Sequence, residues 1–288
     1  MPLRRVDTAP DLIEAVVLAS QWSESPHQPS LSEATRLQLR EGRGTGFVSD
    51  DPSGVVTLTA TKWPEMAMVE IAVPPSDAAS HVWDAAEPAV VSAARERGFR
   101  ALELLTWDTA LQSRLREQGW TVARSIKRGS MEAAPLPASG GTYPNVASLL
   151  GGETDLDQLI EVYNLAFADH PDAGEWDRAE LDKLFSEPWF DRRGLLVDRT
   201  AELLTGFCWT KVHPDGVGEI YLLAVRPGHS GRGLGRKLAI TGVDYLKVER
   251  ACPEVIIYWD ASNETTDNLY QSIGFSVDRL GEVFQLRL

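Results

Sequence analysis

The pattern of hydrophobic and polar positions in the second half of the chain predicts a mixed α/β domain. Two stretches with helical spacing come first, followed by apolar runs joined by short polar turns, which are typical of antiparallel strands. A long amphipathic helix, a buried strand and a short helix that Gly274 ends complete the order. The predicted helices are 156–167, 176–184, 234–250 and 265–273, and the predicted strands are 195–197, 202–213, 219–225 and 254–259.

The first half of the chain repeats this pattern. Each half contains an alternating strand with one acidic residue near its start, at Glu70 and at Glu219. Each then has an apolar strand ending in Trp-Asp, a helical stretch, and a glycine followed by an aromatic residue. Because 288 residues suit two domains, we predict an internal duplication. The expected domains are 1–134 and 145–288, and the segment 135–144, rich in Pro, Gly and small residues, is the expected linker.

A glycine-rich basic loop joins the strand 219–225 to the long helix. Gly231, Gly233 and Gly235 let the backbone approach a ligand without Cβ atoms in the way. The start of the following helix offers amides without helical partners and the positive end of the helix dipole. The chain has a net charge of −14, yet twelve residues here contain four cations and no acid: Arg226, Arg232, Arg236 and Lys237. The loop therefore predicts a pyrophosphate site.

Three kinds of glycine-rich loop compete for this segment, besides an ordinary strand–loop–helix connection. A Walker loop needs Gly-Lys-Ser/Thr, but Gly235 is followed by Arg-Lys-Leu. A Rossmann fingerprint needs G-x-G-x-x-G after a first strand, whereas this loop reads G-x-G-x-G and follows several strands. The loop resembles the x-x-G-x-G loop of the GNAT acyl-CoA N-acyltransferases, with Ser230 where that family usually has Gln or Arg. Gly274-Phe275, after a helix that carries Tyr270, is a second point of similarity.

The resemblance to the GNAT family implies an α/β fold (α+β, with a mixed sheet), two tandem GNAT-like domains and acetyl-CoA as co-substrate. The pantetheine and the thioester carbonyl would bond to backbone amides of a bulged strand at Leu223, Ala224 and Val225. The residues expected at the diphosphate and elsewhere on the coenzyme are Ser230, Gly231, Arg232, Gly233, Leu234, Gly235, Arg236, Asn263 and Asn268.

Two residues are expected to carry the chemistry of acetyl transfer. Glu219 opens a strand that should end at the thioester, and strand alternation should place 219, 221, 223 and 225 on one face. A carboxylate there can take a proton from an ammonium, directly or through water. Tyr270 stands where GNAT enzymes commonly keep a Tyr that protonates the departing thiolate. The alternatives remain a solvated acid at a strand start and an aromatic residue of the core.

The first half lacks the matching chemistry. The stretch Pro74 to His81, where a phosphate loop should lie, contains no glycine and no Lys or Arg. Leu115 stands four residues before Gly119, at the position that corresponds to Tyr270. We therefore expect a degenerate GNAT-like domain that does not catalyse transfer.

Several segments of the second half resemble a tandem-domain branch of the GNAT family that acetylates the cysteine amine of a cysteinyl-glucosaminyl-inositol. These segments are 164–176, 187–191 and 206–214. The resemblance implies substrate contacts from Asp172, where that branch usually has Glu, from Lys211 and from Tyr258, beside Glu219. Glu33 would be a contact that the first domain contributes, and Asn268 stands where that branch tends to carry Arg.

Composition narrows the partners and the compartment. Two cysteines, Cys208 and Cys252, suggest thiols in a reducing compartment rather than a disulfide. The acidic charge argues against nucleic acid, and no apolar run approaches a membrane span. The beginning of the sequence lacks an apolar signal core. We expect a cytoplasmic monomer that binds a small-molecule amine, with no metal and no membrane partner.

Three functions remain open from the sequence. The first is N-acetylation of the cysteinyl pseudo-disaccharide, and the second is the same reaction on another amine, such as an aminoglycoside or a protein N-terminus. The third is a regulatory protein that binds CoA without turnover. The presence of both Glu219 and Tyr270 favours an enzyme.

Overall fold

The computed structural model describes residues 3–22, 31–75, 77–132, 146–148, 153–170 and 173–288, so the expected linker at 135–144 lies outside the described residues. Contacts within the chain divide it into two compact units. The first comprises Met1–Lys127, Asp260–Ser262 and Arg279–Leu288, and the second Arg128–Trp259 and Asn263–Asp278. The C-terminal ten residues thus belong to the first unit.

The two halves of the chain have the same order of elements, β-α-α-β-β-β-α-β-α-β. In the first half these are β1 (Arg4–Val6), α1 (Ala9–Trp22), α2 (Glu33–Arg40), β2 (Thr45–Asp50), β3 (Ser53–Ala60), β4 (Met66–Ala72), α3 (Ala79–Glu96), β5 (Ala101–Thr106), α4 (Thr109–Glu117) and β6 (Thr121–Glu132). In the second half they are β7 (Val146–Ser148), α5 (Glu153–Ala166), α6 (Arg178–Phe185), β8 (Leu195–Thr200), β9 (Leu203–Val212), β10 (Gly218–Val225), α7 (Leu234–Asp244), β11 (Glu254–Asp260), α8 (Glu264–Ser272) and β12 (Ser276–Arg287).

Each unit is built on a mixed sheet. In the first unit the strands from β1 to β5 are neighbours in sequence order, and all pairs are antiparallel except β4 with β5. The end of β12 pairs antiparallel with β5, from Glu282 opposite Thr106 to Arg287 opposite Ala101. In the second unit β7, β8, β9 and β10 are antiparallel neighbours, and β10 pairs parallel with β11. The predicted mixed α/β fold is confirmed.

Helices cover both faces of the second sheet. Leu238, Ala239 and Val243 of α7 pack with Tyr270 of α8 and with the β11 side chains that point to that face. Leu159 and Val162 of α5 and Leu181 of α6 pack on the opposite face, against Phe207 and Trp209 of β9. The predicted long helix 234–250 is α7 followed by a π-helical turn, Tyr245–Glu249. In the described part of the chain, no helix is long and apolar enough to cross a membrane.

Candidate active site

The two parallel strands of the second unit separate soon after they begin. β10 and β11 pair at two positions, Gly218 with Val255 and Glu219 with Ile256. β10 continues for six residues and β11 for four beyond that point. We call this separation the fork, and Glu219 and Ile256 are its last paired residues. Backbone groups on the inner edges of both strands are consequently left for a ligand.

A bulge in β10 decides which groups face the fork. Its pairing with β9 shifts register between Ile220 and Leu222, which is the bulged strand that the family resemblance implies. Beyond the bulge, the Arg226 amide donates to the Thr205 carbonyl at 2.8 Å. Because bonded and non-bonded pairs alternate in an antiparallel ladder, the amide of Ala224 points to β9. The amides of Leu223 and Val225 point to the fork, so Ala224 does not supply the expected amide.

The bulge also changes the faces of the strand. Leu223 and Val225 pack on the α7 side together with Ile220. Tyr221, Leu222 and Ala224 pack on the α5 side. The prediction that 219, 221, 223 and 225 share one face is therefore wrong beyond Tyr221, because the extra residue reverses the alternation.

The loop after β10 has the conformation that its glycines permit. Gly228, Gly231 and Gly233 have φ values of +85°, +77° and +80°, in the left-handed region that side chains other than glycine rarely adopt. Gly233 is the N-cap of α7, and the first helical bond runs from the Lys237 amide to the Gly233 carbonyl at 3.0 Å. The amides of Leu234, Gly235 and Arg236 therefore have no acceptor within the helix, as an anion site requires.

Two of the four cations near this loop are neutralised by carboxylates. Arg226 is buried and donates to both carboxylate oxygens of Glu161, at 2.8 and 2.9 Å, and to the Leu204 carbonyl at 2.9 Å. These bonds raise the pKa of Arg226 and lower that of Glu161. The Lys237 ammonium lies 2.7 Å from Asp198. Of the four cations counted in the sequence, two are therefore already paired with carboxylates.

The remaining two arginines, Arg232 and Arg236, are exposed. Arg236 donates to the Ser272 hydroxyl at 2.7 Å, and within the described ranges neither guanidinium has a carboxylate partner. Ser230 is exposed at the start of the loop. The loop thus presents two positive charges beside the free amides of α7, which suits a diphosphate.

Glu219 lies at the start of the fork and is 8% exposed. Its Oε2 lies 2.6 Å from Nε2 of His213. The sequence analysis did not single out His213. A signal was present, since this histidine lies at the turn between two strands that were predicted as neighbours. Its contact with Glu219 follows from the register of β9 against β10, which places Glu219 opposite Lys211.

Two aromatic rings lie close to the ammonium of Lys211, which is also buried. The Lys211 ammonium lies 4.9 Å from the ring centre of Trp189 and 5.5 Å from that of Tyr221, within the range of cation–π attraction. Tyr258 of β11 lies two residues after Ile256, the partner of Glu219, so it shares the face of Glu219. The structure therefore brings Glu219, Lys211 and Tyr258 to one face, as expected of substrate contacts.

Tyr270 lies on the α7 side of the sheet and is buried. Its ring packs edge-on against Trp259, with centres 5.2 Å apart. Burial, with a smaller contribution from Cys208, raises the pKa of Tyr270. Cys208 is the β9 partner of Leu223, and burial raises the pKa of its thiol to about 12. Tyr270 therefore carries its proton at neutral pH, in the apolar cluster against which Leu223 packs.

The two asparagines of α8 differ in their contacts. Asn263 is the N-cap, and its side-chain oxygen accepts the Thr266 amide at 3.0 Å, so its side-chain NH₂ group is the part left to bind pantetheine. Asn268 is exposed on the helix.

Two further residues, Glu33 and Asp172, are expected to contact the substrate. Glu33 belongs to the first unit, where it pairs with Arg36 at 3.1 Å in the first turn of α2. Asp172 lies outside the described residues. In the first unit, Glu70 corresponds to Glu219 by element order, but its Oε2 accepts the Ser32 amide at 2.7 Å. Burial raises the pKa of Glu70. In the portion of the chain that the structure describes, no group of His, Cys, Asp and Glu side chains could hold a metal.

Solved structures share this fold over nearly the whole chain. A tandem GNAT protein from the clavulanic acid biosynthesis pathway matches with a TM-score of 0.67 and 13% identity, covering 99% of this chain and 98% of its own. A GCN5-related N-acetyltransferase from Sphaerobacter thermophilus matches with a TM-score of 0.65 and 16% identity, covering 99% of this chain and 95% of its own.

Sequence comparison identifies nearer relatives. The profile of the Acetyltransferase (GNAT) family matches residues 157–275. The mycothiol acetyltransferase of Thermomonospora curvata is 33% identical in an alignment 280 positions long that covers 93% of this chain and 91% of the relative. That of Streptomyces avermitilis is 32% identical in an alignment 284 positions long that covers 93% of this chain and 89% of the relative. The chain therefore belongs to the mycothiol acetyltransferases, a group within the GNAT family.

Proposed function

We propose that the second unit transfers the acetyl group of acetyl-CoA to the cysteine amine of cysteinyl-glucosaminyl-inositol, giving mycothiol and CoA. The observation that carries the proposal is the fork between β10 and β11, with Glu219 at its start and the glycine loop at the end of β10. The choice of acceptor rests on the relatives, which are mycothiol acetyltransferases.

The residues present fit a coenzyme A diphosphate and arm. The left-handed glycines, the amides of Leu234, Gly235 and Arg236, and the charges of Arg232 and Arg236 would bind the diphosphate. The amides of Leu223 and Val225 would donate to the thioester carbonyl or to the pantetheine amides. Such donors stabilise the negative charge that develops on a carbonyl oxygen during acyl transfer.

Two protons must leave the acceptor for an ammonium and a thioester to become an amide and a thiol. Glu219 takes a proton from the ammonium, which frees the nitrogen lone pair to attack the carbonyl carbon. An α-amine has a pKa of about 7.7–8.0, so a modest base suffices. As the new C–N bond forms and the C–S bond breaks, the nitrogen releases a second proton to water and the thiolate gains one from the protein. Glu219 then returns its proton to water, and the protein takes one proton back from water, so the net release is one proton per turnover.

Tyr270 supplies the proton for the thiolate. A phenol that keeps its proton at neutral pH can donate it to the departing thiolate as the C–S bond breaks. Tyr270 then recovers its proton from solvent.

The first unit is proposed to support the fold without catalysing transfer. Its acidic residue Glu70 is already bonded to the Ser32 amide, and no glycine follows β4 before α3. Both features are consistent with a degenerate copy.

The test is acetyl transfer to the cysteinyl pseudo-disaccharide, compared with free cysteine and with an aminoglycoside. Loss of thioester absorbance measures turnover, and mass spectrometry identifies the product. Because the acceptor has its own thiol, a thiol reagent distinguishes the N-acetyl product, whose thiol still reacts, from an S-acetyl product. Equal turnover of all three amines would contradict the proposed acceptor, and no turnover with any amine would contradict the enzyme.

A further inference from the structure

His213 holds a fixed position at the end of β9. Its amide donates to the Val217 carbonyl at 2.8 Å, and its carbonyl accepts the Gly216 amide at 2.9 Å. These bonds close the turn between β9 and β10 on both sides of the histidine. Its side chain is 14% exposed, so the backbone of the turn and the surrounding packing restrict where the imidazole can lie.

The register of the hairpin directs this imidazole at Glu219. Lys211 is opposite Glu219, and His213 follows Lys211 by two residues, so all three side chains lie on the same face. His213 and Glu219 are diagonal neighbours, a distance that a long side chain spans. The gap between Nε2 and Oε2 is 2.6 Å, and both side chains are largely buried.

A carboxylate that acts as a base needs one oxygen aimed at the proton it takes. A glutamate side chain has several rotamers, and only some of them point an oxygen at the acceptor. A hydrogen bond to Oε2 removes most of that freedom and leaves the lone pairs of Oε1 for the amine. A neutral imidazole with its proton on Nε2 can donate this bond.

We propose that His213 is a positioning residue that orients Glu219 for proton abstraction from the amine. The proposal rests on the proposed function of Glu219 as base. It assigns His213 no proton-transfer step and no contact with the coenzyme, so its removal should lower turnover and leave acetyl-CoA binding intact. A misplaced catalytic group can cost on the order of 100-fold in rate, and we expect a loss of kcat between about 10-fold and 100-fold.

The test compares replacements of this histidine by leucine, by glutamine and by alanine. His213→Leu fills the space but donates no hydrogen bond, and it should show the full loss of kcat, with acetyl-CoA affinity by calorimetry within about twofold of the wild type. His213→Gln carries a side-chain amide that can donate to Glu219, and it should recover most of the loss. His81→Leu, an exposed histidine of the first unit, is the matched control and should keep wild-type turnover.

The alanine replacement tests the proposal even if the leucine variant does not fold. His213→Ala leaves a gap, and added imidazole should restore part of its kcat, whereas imidazole should not affect the glutamine variant. Wild-type kcat in His213→Leu would overturn the proposal. So would a glutamine variant as slow as the leucine variant, a loss confined to acetyl-CoA affinity, or an alanine variant that imidazole does not rescue.

Glu219→Gln separates this inference from the proposed function. If Glu219→Gln keeps full turnover, the carboxylate is not the base and the proposed function of Glu219 fails. If Glu219→Gln is inactive while His213→Leu is fully active, only the positioning role fails. If Glu219 is the base and His213 orients it, His213→Leu should cause no further loss of kcat when Glu219→Gln is already present, because the two residues act as one unit.

Discussion

Arg226 begins the glycine loop and Arg232 lies within it, but the structure gives the two residues different roles. Arg226 is buried and bonded to the Leu204 carbonyl and to Glu161. Arg232 is exposed beside the free amides of α7. Replacing each by methionine removes the charge and the hydrogen-bond donors and keeps an unbranched side chain in place of the arginine stem. We predict that Arg226→Met lowers stability and spares acetyl-CoA affinity, whereas Arg232→Met does the reverse.

The expected magnitudes follow from the contacts. Leaving the buried Leu204 carbonyl without its arginine donor costs about 1–3 kcal/mol. Loss of the pair with Glu161, whose side chain is 54% exposed, adds less than about 1 kcal/mol. The total is about 1–4 kcal/mol. At roughly 2–4 °C per kcal/mol for a unit of this size, the Tm of the second unit should fall by about 2–16 °C.

The rise in acetyl-CoA Kd expected for Arg232→Met follows from the hydrogen bond that the substitution removes. A hydrogen bond to a charged group is worth about 1.5–3 kcal/mol, and the exposed position favours the lower end because solvent screens it. Acetyl-CoA Kd should therefore rise about 10-fold, with a change in free energy of unfolding within about 0.5 kcal/mol.

Calorimetric titration with acetyl-CoA and thermal unfolding without ligand measure the two effects separately. Arg236→Met is a second exposed variant, which should behave as Arg232→Met does. If Arg226→Met weakened acetyl-CoA as strongly as Arg232→Met at an unchanged Tm, Arg226 would contact the phosphates. That result would refute the reasoning.

Three further outcomes are expected. Glu219→Gln should lower turnover most at pH 6–7, where the amine is protonated, and least near pH 9, where the amine is already free; an equal loss across a pH series of kcat would show that Glu219 is not the base. Tyr270→Phe should lower kcat with acetyl-CoA Kd within about twofold of the wild type, and a large rise in Kd by calorimetry would make it a binding residue instead. Gly233→Ala places a side chain on a residue in the left-handed conformation at the N-cap of α7, which costs about 1 kcal/mol. Both Tm and acetyl-CoA affinity should therefore fall, and an unchanged affinity would contradict the role of the loop.

The elements and the duplication could be predicted because each depends on local pattern. Helical spacing and strand alternation placed α5, α8, β9 and β11 within three residues of the observed ends. The glycine loop could also be predicted, because a left-handed backbone before a helix start favours glycine at those positions in the sequence.

Contacts between distant residues could not be predicted in this way. Arg226 is bonded to Glu161, 65 residues earlier in the chain, so its charge could not be known to be neutralised. The bulge at Tyr221 reverses the alternation of β10, and one inserted residue leaves no mark in a pattern of apolar side chains. The bond from His213 to Glu219 required the register of two strands, which a predicted turn leaves free by one or two residues.

A crystal structure of the complex with acetyl-CoA tests the central claim most directly. We expect the diphosphate at the amides of Leu234, Gly235 and Arg236. The thioester oxygen should lie about 2.7–3.2 Å from the amide of Leu223 or Val225, with the acetyl carbon on the side of Glu219. A coenzyme bound away from the fork, or an acetyl group directed away from Glu219, would contradict the account.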